Sequence, residues 1–147
     1  MANSEIIIGI DPGYAITGYG VIEKNGNRLN MLDCGVISTK PNVQFPERLL
    51  AINMKVAMLL EHYKPNFMAV EELFLGQNKT TAIGTAQARG VVLVEAARAN
   101  IPVYEYTPGQ IKLAVTGYGK GAQAVADKFK AAGSLVTVTT PSSTTTF

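Results

Sequence analysis

Apolar positions along this chain follow two rhythms. Near the start they run almost without interruption, as Ile6-Ile7-Ile8-Gly9-Ile10, and then stop at Asp11-Pro12-Gly13. β-Branched residues favour strands, and a run without alternation predicts a strand covered on both faces. The Pro-Gly pair ends it. Residues 5–11 are thus strand one, 17–22 strand two and 28–38 strand three, with Leu29, Met31 and Val36 as its apolar members. Glu23-Lys24-Asn25-Gly26-Asn27 reads as the hairpin turn between the last two. The rhythm then changes. Leu49, Leu50, Ile52, Val56, Leu59 and Leu60 recur at helical spacing and predict a helix over 46–63, opened by Pro46 and broken by Pro65-Asn66.

Phe67-Met68-Ala69-Val70-Glu71 is a short buried strand that ends, like the first, in an acid. A loop at 75–79 leads to a helix over about 81–100, whose Ala82, Ala86, Ala88, Gly90, Ala96 and Ala97 permit a neighbouring backbone to approach closely. Residues 102–106 form the next strand. Thr107-Pro108 opens a short helix ending near Thr116-Gly117. The order βββ-α-β-α-β-α predicts an α/β fold, with three antiparallel strands first and parallel strands after.

The 147 residues suit one domain with an ordinary core, placed at 1–132. Residues 133–147 hold nine Ser or Thr and no charge; 135–138 could pair as an edge strand, and the rest reads as a flexible tail. Hydrophobic residues make up 47%, which excludes a disordered chain. No apolar run is long enough to cross a bilayer. Met1-Ala2-Asn3-Ser4-Glu5 lacks the basic region of a signal peptide, so a cytoplasmic, non-membrane protein is expected. The single cysteine, Cys34, forbids an internal disulfide and reads as packing. His62, the only histidine, lies at a helix end and reads as a surface residue. A net charge of +2 does not by itself argue for nucleic acid. After Glu105, however, Lys112, Lys120, Lys128 and Lys130 face a single acid, Asp127.

The candidate chemistry lies in the two acids that end apolar strands. Taken singly, Asp11 is a turn-capping residue and Glu71 a strand-end surface acid. If their strands are neighbours, the two carboxylates converge at the carboxyl end of the sheet, where sites collect in α/β folds. Paired carboxylates suit a hard divalent cation such as Mg²⁺, which takes oxygen ligands and keeps waters. Two such ions about 4 Å apart support phosphodiester hydrolysis without a protein nucleophile.

The motifs carrying these acids resemble those of the RuvC Holliday-junction resolvases. Gly9-Ile10-Asp11-Pro12-Gly13 with Thr17-Gly18-Tyr19-Gly20 is similar to their opening, and Ala69-Val70-Glu71-Glu72-Leu73-Phe74 to their second acidic motif. Gln87-Ala88-Arg89-Gly90-Val91 resembles their central helix. Tyr106-Thr107-Pro108-Gly109-Gln110-Ile111-Lys112 and Val115-Thr116-Gly117-Tyr118-Gly119 resemble their DNA-facing segment. The resemblance covers residues 5 to about 120. It implies a ribonuclease H-like mixed sheet flanked by helices, and a structure-selective endonuclease of DNA recombination and repair. Such an enzyme cuts four-way junctions symmetrically with Mg²⁺ (two ions, Mn²⁺ as a substitute) and leaves 5′-phosphate ends. It further implies a homodimer working with the branch-migration proteins of its pathway. By the same resemblance Asp11 and Glu71 are metal ligands and, with Lys112, catalytic. Phe74 stacks at the crossover, and Lys79, Arg89, Lys112 and Lys120 contact DNA. Alternatives remain for three of these: Phe74 as a core residue, Lys112 as a solvated helix lysine, and Arg89 as an intramolecular ion-pair partner.

The chain departs from the family pattern after Lys120. The family's final helix carries two aspartates, in an Asp-Ala-Ala-Asp-Ala-Leu-Ala pattern. Here Gly121 to Lys130 can form a helix, but it contains only Asp127, and Ser and Thr follow. The expectation is a truncated or altered C-terminal end with two of four carboxylates. A nuclease-dead, junction-binding relative is therefore the alternative function. Sugar-kinase and actin-like ATPases share the sheet and an early Asp-x-Gly, but need a second phosphate-binding domain that a chain of this length does not supply.

Overall fold

The computed structural model of the chain describes residues 3–73 and 79–107. Seven elements follow one another: β1 (Glu5–Asp11), β2 (Ile16–Asn25), β3 (Arg28–Ser38), α1 (Phe45–Tyr63), β4 (Phe67–Glu71), α2 (Lys79–Arg98) and β5 (Val103–Tyr106). The strands form one sheet in the order β3-β2-β1-β4-β5. The first three are antiparallel, and β4 and β5 are parallel to β1. This is the mixed sheet the sequence pattern predicts.

Alternation along the strands divides the sheet into two faces. Ile8, Ile10, Met68 and Val70 point to one side, where Ile52, Val56, Leu59 and Leu60 of α1 and Ala88, Val92 and Ala96 of α2 close a single core. The opposite side carries Ile7, Phe67, Ala69, Tyr104 and Tyr106, by the pairing of Ile7 with Phe67, Ala69 with Tyr104 and Glu71 with Tyr106. The Phe67 and Tyr104 rings meet there edge to face at 5.7 Å.

The helix ends are set by local chemistry. Pro46 sits in the first turn of α1. Lys64, in the left-handed region at φ 47°, ends α1 as its N–H bonds back to Leu60, and Pro65 prevents continuation. α2 ends on Asn100 at φ 56°. Asn100 N–H donates to Ala97 O and Ile101 N–H to Ala96 O, the paired bonds of a left-handed helix stop. Tyr63 at the end of α1 donates 2.8 Å to Asp33 on β3, and this hydrogen bond pushes the Tyr63 phenol up to about 12.

Two expectations are corrected, the hairpin turn and Leu50. β2 extends to Asn25, so the hairpin turn contains only Gly26 and Asn27, with Gly26 at φ 59°. The outer part of this hairpin is exposed on both strands, so no burial alternation marked Glu23 to Asn25 as strand. Strand three spans Arg28–Ser38 as expected; it is the sheet edge, so its apolar members Leu29, Met31 and Val36 are exposed and only Ile37 is buried. On α1, Leu50 faces solvent. Tyr14 packs closely on α2: a Cβ on Gly84 would lie 2.5 Å from Tyr14 Cδ1.

The loop between β1 and β2 is braced from within. The wholly buried Thr17 donates its hydroxyl to Gly13 O at 2.6 Å and accepts from Gly13 N–H at 3.2 Å. Any Cβ on Gly13 would sit 2.3 Å from Ile16 O, a backbone atom that cannot move aside. Thr17→Val, which keeps the shape and removes both bonds, is expected to lower unfolding free energy in urea by about 1–3 kcal/mol. Gly13→Ala is expected to cost about as much through overpacking. Unchanged midpoints for both would show that the loop is not held this way.

Candidate active site

β1 and β4 are neighbouring parallel strands, and their ladder runs Ile7 to Phe67, Ile8 to Met68, Gly9 to Ala69 and Ile10 to Val70. The next residues on the two strands, Asp11 and Glu71, therefore stand side by side on the same face. Gly18, opposite Asp11 on β2, presents no side chain, so the space beside the carboxylate stays open. A cavity of about 200 Å³ lies at this end of the sheet, lined by Asp11, Pro12, Glu71, Glu72, Thr85 and Arg89, among others.

The alternative role for Asp11, capping its own turn, needs its carboxylate to accept the Gly13 N–H. That donor is taken by Thr17. Asp11 is exposed as a residue, yet the protein crowding around its carboxyl removes enough water to raise its pKa above the ordinary carboxylate value. Burial here disfavours the charge, a cost that a cation placed in the cavity would offset.

Whether the residues fit a metal ion can be judged from the donor set. Asp11 and Glu71 supply hard oxygens, and the third carboxylate on the wall is Glu72. Among the described residues no group of three or more His, Cys, Asp or Glu side chains is arranged to hold a metal by itself. A pair of carboxylates on an open cavity suits a cation that keeps much of its water, which is the behaviour of Mg²⁺ rather than of a fully caged ion.

The remaining candidates divide. Arg89 lines the acid cavity, but it is largely buried and its guanidinium pairs with Glu105 at 2.7 Å. That is the intramolecular ion pair offered as the alternative to a DNA contact. Lys79, the first residue of α2, is exposed on a separate groove of about 470 Å³ with Tyr14, Phe45, Thr80, Ile83 and Gln87. Phe74, Lys112 and Lys120 lie outside the described residues, as do Asp127, the short helix after Thr107, the 135–138 segment and the tail. Cys34 is half-buried and its thiol pKa is raised, first by desolvation and then by Asp33, which keeps it from being a ready nucleophile. His62 is exposed beside the Tyr63 ring.

Sequence reasoning missed the supports of the site. Arg48 lies 5.0 Å from the Tyr14 ring centre and donates to Thr39 Oγ1 at 2.9 Å; Thr39 in turn donates its hydroxyl to Tyr14 O. Thr39 N–H donates to Ala15 O at 2.9 Å. The start of α1 is thereby tied to the loop that follows Asp11. Glu105 was also missed, because its meaning depends on the β4–β5 register, which sets it beside Val70.

The family model described as Crossover junction endodeoxyribonuclease RuvC matches residues 7–137. The chain belongs to this family. Its members are metal-dependent nucleases. The family's Petrotoga mobilis protein is 53% identical over 115 residues, covering 78% of this chain and 71% of that protein. The Desulfitobacterium hafniense one is 52% identical over 115 residues, covering 78% and 70%. RuvC of T. thermophilus, solved in complex with a Holliday junction substrate, superposes with a TM-score of 0.83 at 35% identity, covering 94% of this chain and 85% of that one. The yeast mitochondrial resolvase Ydc2 shares the fold alone, at 11% identity, 84% and 61% coverage, and a TM-score of 0.59. The fold is thus the ribonuclease H-like one implied by the motifs. The family match also runs beyond Lys120, near which the motif resemblance stops. Among the described residues no helix is long and apolar enough to cross a membrane.

The raised Asp11 pKa has a definite sign. The ionised carboxylate is penalised in the folded state, so that penalty is absent below the unfolded value and grows as pH rises through the folded one. Asp11→Asn is therefore expected to raise the melting temperature at pH 7 in EDTA, with the gain fading toward pH 3. Excess Mg²⁺ should narrow the gap by stabilising only the unmodified protein. A lower melting temperature for the variant at pH 7 in EDTA would show that Asp11 is a structural cap after all.

Proposed function

We propose that this chain resolves Holliday junctions by metal-dependent, symmetric phosphodiester cleavage in DNA recombination and repair. The observation that carries this is the register of β1 against β4, which sets Asp11 and Glu71 together at an open cavity. Family membership and the likeness to a junction-bound resolvase supply the substrate class.

In this reading Asp11 and Glu71 hold Mg²⁺, two ions in the active state, with Mn²⁺ as a substitute. Bound there, the ions supply an activated water and stabilise charge on the leaving oxygen. The residues of the chain orient and balance charge. Thr17, Thr39 and Arg48 hold the loop next to Asp11, so the first carboxylate does not drift from the second. Lys79 is the DNA contact of this reading, a role supported by its exposure at the start of α2. Phe74 as the base-stacking residue, Lys112 as a cation near the scissile phosphate and Lys120 as a DNA contact rest on the motif resemblance. Symmetric cutting of two strands requires two copies of the site, hence a homodimer. Branch-migration proteins as partners and a cytoplasmic location complete the reading. The comparisons lend no support to the nuclease-dead alternative.

The test is a synthetic four-way junction incubated with the unmodified chain and Mg²⁺. Paired nicks with 5′-phosphate ends are expected at symmetric positions. Asp11→Asn and Glu71→Gln should each slow cleavage by at least about a hundredfold, the scale on which preorganised electrostatic groups act. Intact junctions after incubation with Mg²⁺ or Mn²⁺ would overturn the reading.

A further inference from the structure

The outer side of α2 is not that of an ordinary surface helix, which is polar where it meets water. Between Lys79 and Arg98 the only charged residues are Arg89 and Glu95. The first is largely buried and paired with Glu105, and the second is almost fully buried. The side turned to solvent carries Ile83, Ala86, Gly90, Val94 and Ala97 on one stripe, with Gln87 at its margin. Ile83 is 66% exposed and Val94 54%. Gly90 is the odd member. A glycine inside a helix is costly relative to alanine, so it needs a reason. Gly84 has one within the chain, because a Cβ there would strike the Tyr14 ring. A Cβ on Gly90 would meet nothing within 4 Å among the described residues. The single chain therefore makes no use of this glycine. α1 covers the same side of the sheet, and its outer side adds Leu50, Met54 and Met58, each more than half exposed. The apolar surface thus spans both helices, and a stable contact needs more area than one helix stripe offers.

We propose that this stripe joins two copies of the chain, which pack α2 against α2 in antiparallel fashion about a two-fold axis at Gly90. The order of residues favours a second copy over any other occupant. Outward from Gly90 the stripe has the same spacing in both directions, with positions four and seven residues away on each side. Under the axis Gly90 meets Gly90, Ala86 meets Val94 and Ile83 meets Ala97. Each large side chain then faces a small one, and the two backbones come closest where there is no side chain. A parallel pairing would set Ile83 against Ile83 and Ala86 against Ala86, a clash beside a gap. Only a second copy can offer the same patch in reverse, which is the mark of an isologous contact. This rests on and deepens the reading above, in which symmetric cutting needs two copies of the acid cavity, by naming the surface that joins them.

Sedimentation equilibrium on the full chain without DNA tests the contact. The unmodified chain is expected to be a dimer. Gly90→Leu favours the helix itself, so circular dichroism should show the helix content kept. The dimer dissociation constant should nevertheless rise by about tenfold to a hundredfold, because a side chain now stands between the backbones. An exchange of sizes tests the direction of packing. Ala86→Val and Val94→Ala should each weaken the dimer by about tenfold, the first by overpacking and the second by leaving a void. Together they restore the match of large to small across the axis, so the double variant should return to within about threefold of the unmodified chain. Residues 86 and 94 of one chain are about 12 Å apart along the helix, so the rescue cannot arise inside a monomer. A monomeric unmodified chain overturns the proposal, and so does a dimer indifferent to Gly90→Leu. A double variant as weak as its two losses combined overturns it equally. Junction cleavage by the unmodified chain, measured in parallel, keeps the two readings apart. Cutting by a dimer that ignores Gly90 removes this inference alone, whereas a dimer that needs Gly90 and never cuts removes the nuclease reading alone.

Discussion

The register of β1 against β4 is the constraint on which the rest depends, because it closes two neighbouring parallel strands with a carboxylate each. Burial penalises the charge on the first of them. The fold bears that cost because Asp11 and Glu71 each sit one residue beyond a buried ladder. Ile8, Ile10, Met68 and Val70 are essentially inaccessible to solvent, and a slip of one residue would turn this apolar set to the wrong face. Core packing therefore fixes the register, and the register fixes the distance between the acids. A divalent cation entering the cavity would offset the desolvation of Asp11.

What surrounds the acids keeps them from relaxing. The β1–β2 loop has its backbone bonds satisfied by Thr17 and Thr39, and Tyr14 is trapped between Arg48, Phe45 and Gly84. These contacts leave Asp11 free of local capping duty. Arg89, which lines the same cavity, is paired with Glu105. The site thus combines an acid pair with a braced turn that does not need Asp11 as its cap. Preorganisation of this kind is what lets a metal-dependent nuclease bind its ions without first rearranging.

Much of this was legible in the sequence, for physical reasons. The Ile6–Ile10 run and the 67–71 strand lie in the centre of the sheet, where one face is fully buried and the other partly covered, which leaves an unbroken apolar signal. The helical spacing of Ile52, Val56, Leu59 and Leu60 likewise reports one covered face. The signal failed where burial fails. The outer arm of the β2–β3 hairpin is exposed, so Glu23 to Asn25 looked like turn. Glu95 on α2 is almost fully buried, held by Asn53 at 2.7 Å and by Arg98, and nothing in a local pattern marks an acid that a distant helix will satisfy. The acid pair was legible because both members close apolar strands. The Arg89–Glu105 pair was only half legible, since it exists through a strand register that no window of sequence contains.

The central claim is that Asp11 and Glu71 act as one metal-binding unit. The most direct test is a double-mutant cycle in Mn²⁺ affinity, with Asp11→Asn, Glu71→Gln and the two combined, measured without DNA. A shared site predicts that either substitution removes most of the binding and that the second adds little. Losses that simply add, or a single substitution that leaves affinity intact, would mean the two carboxylates serve separate ends and would contradict the account.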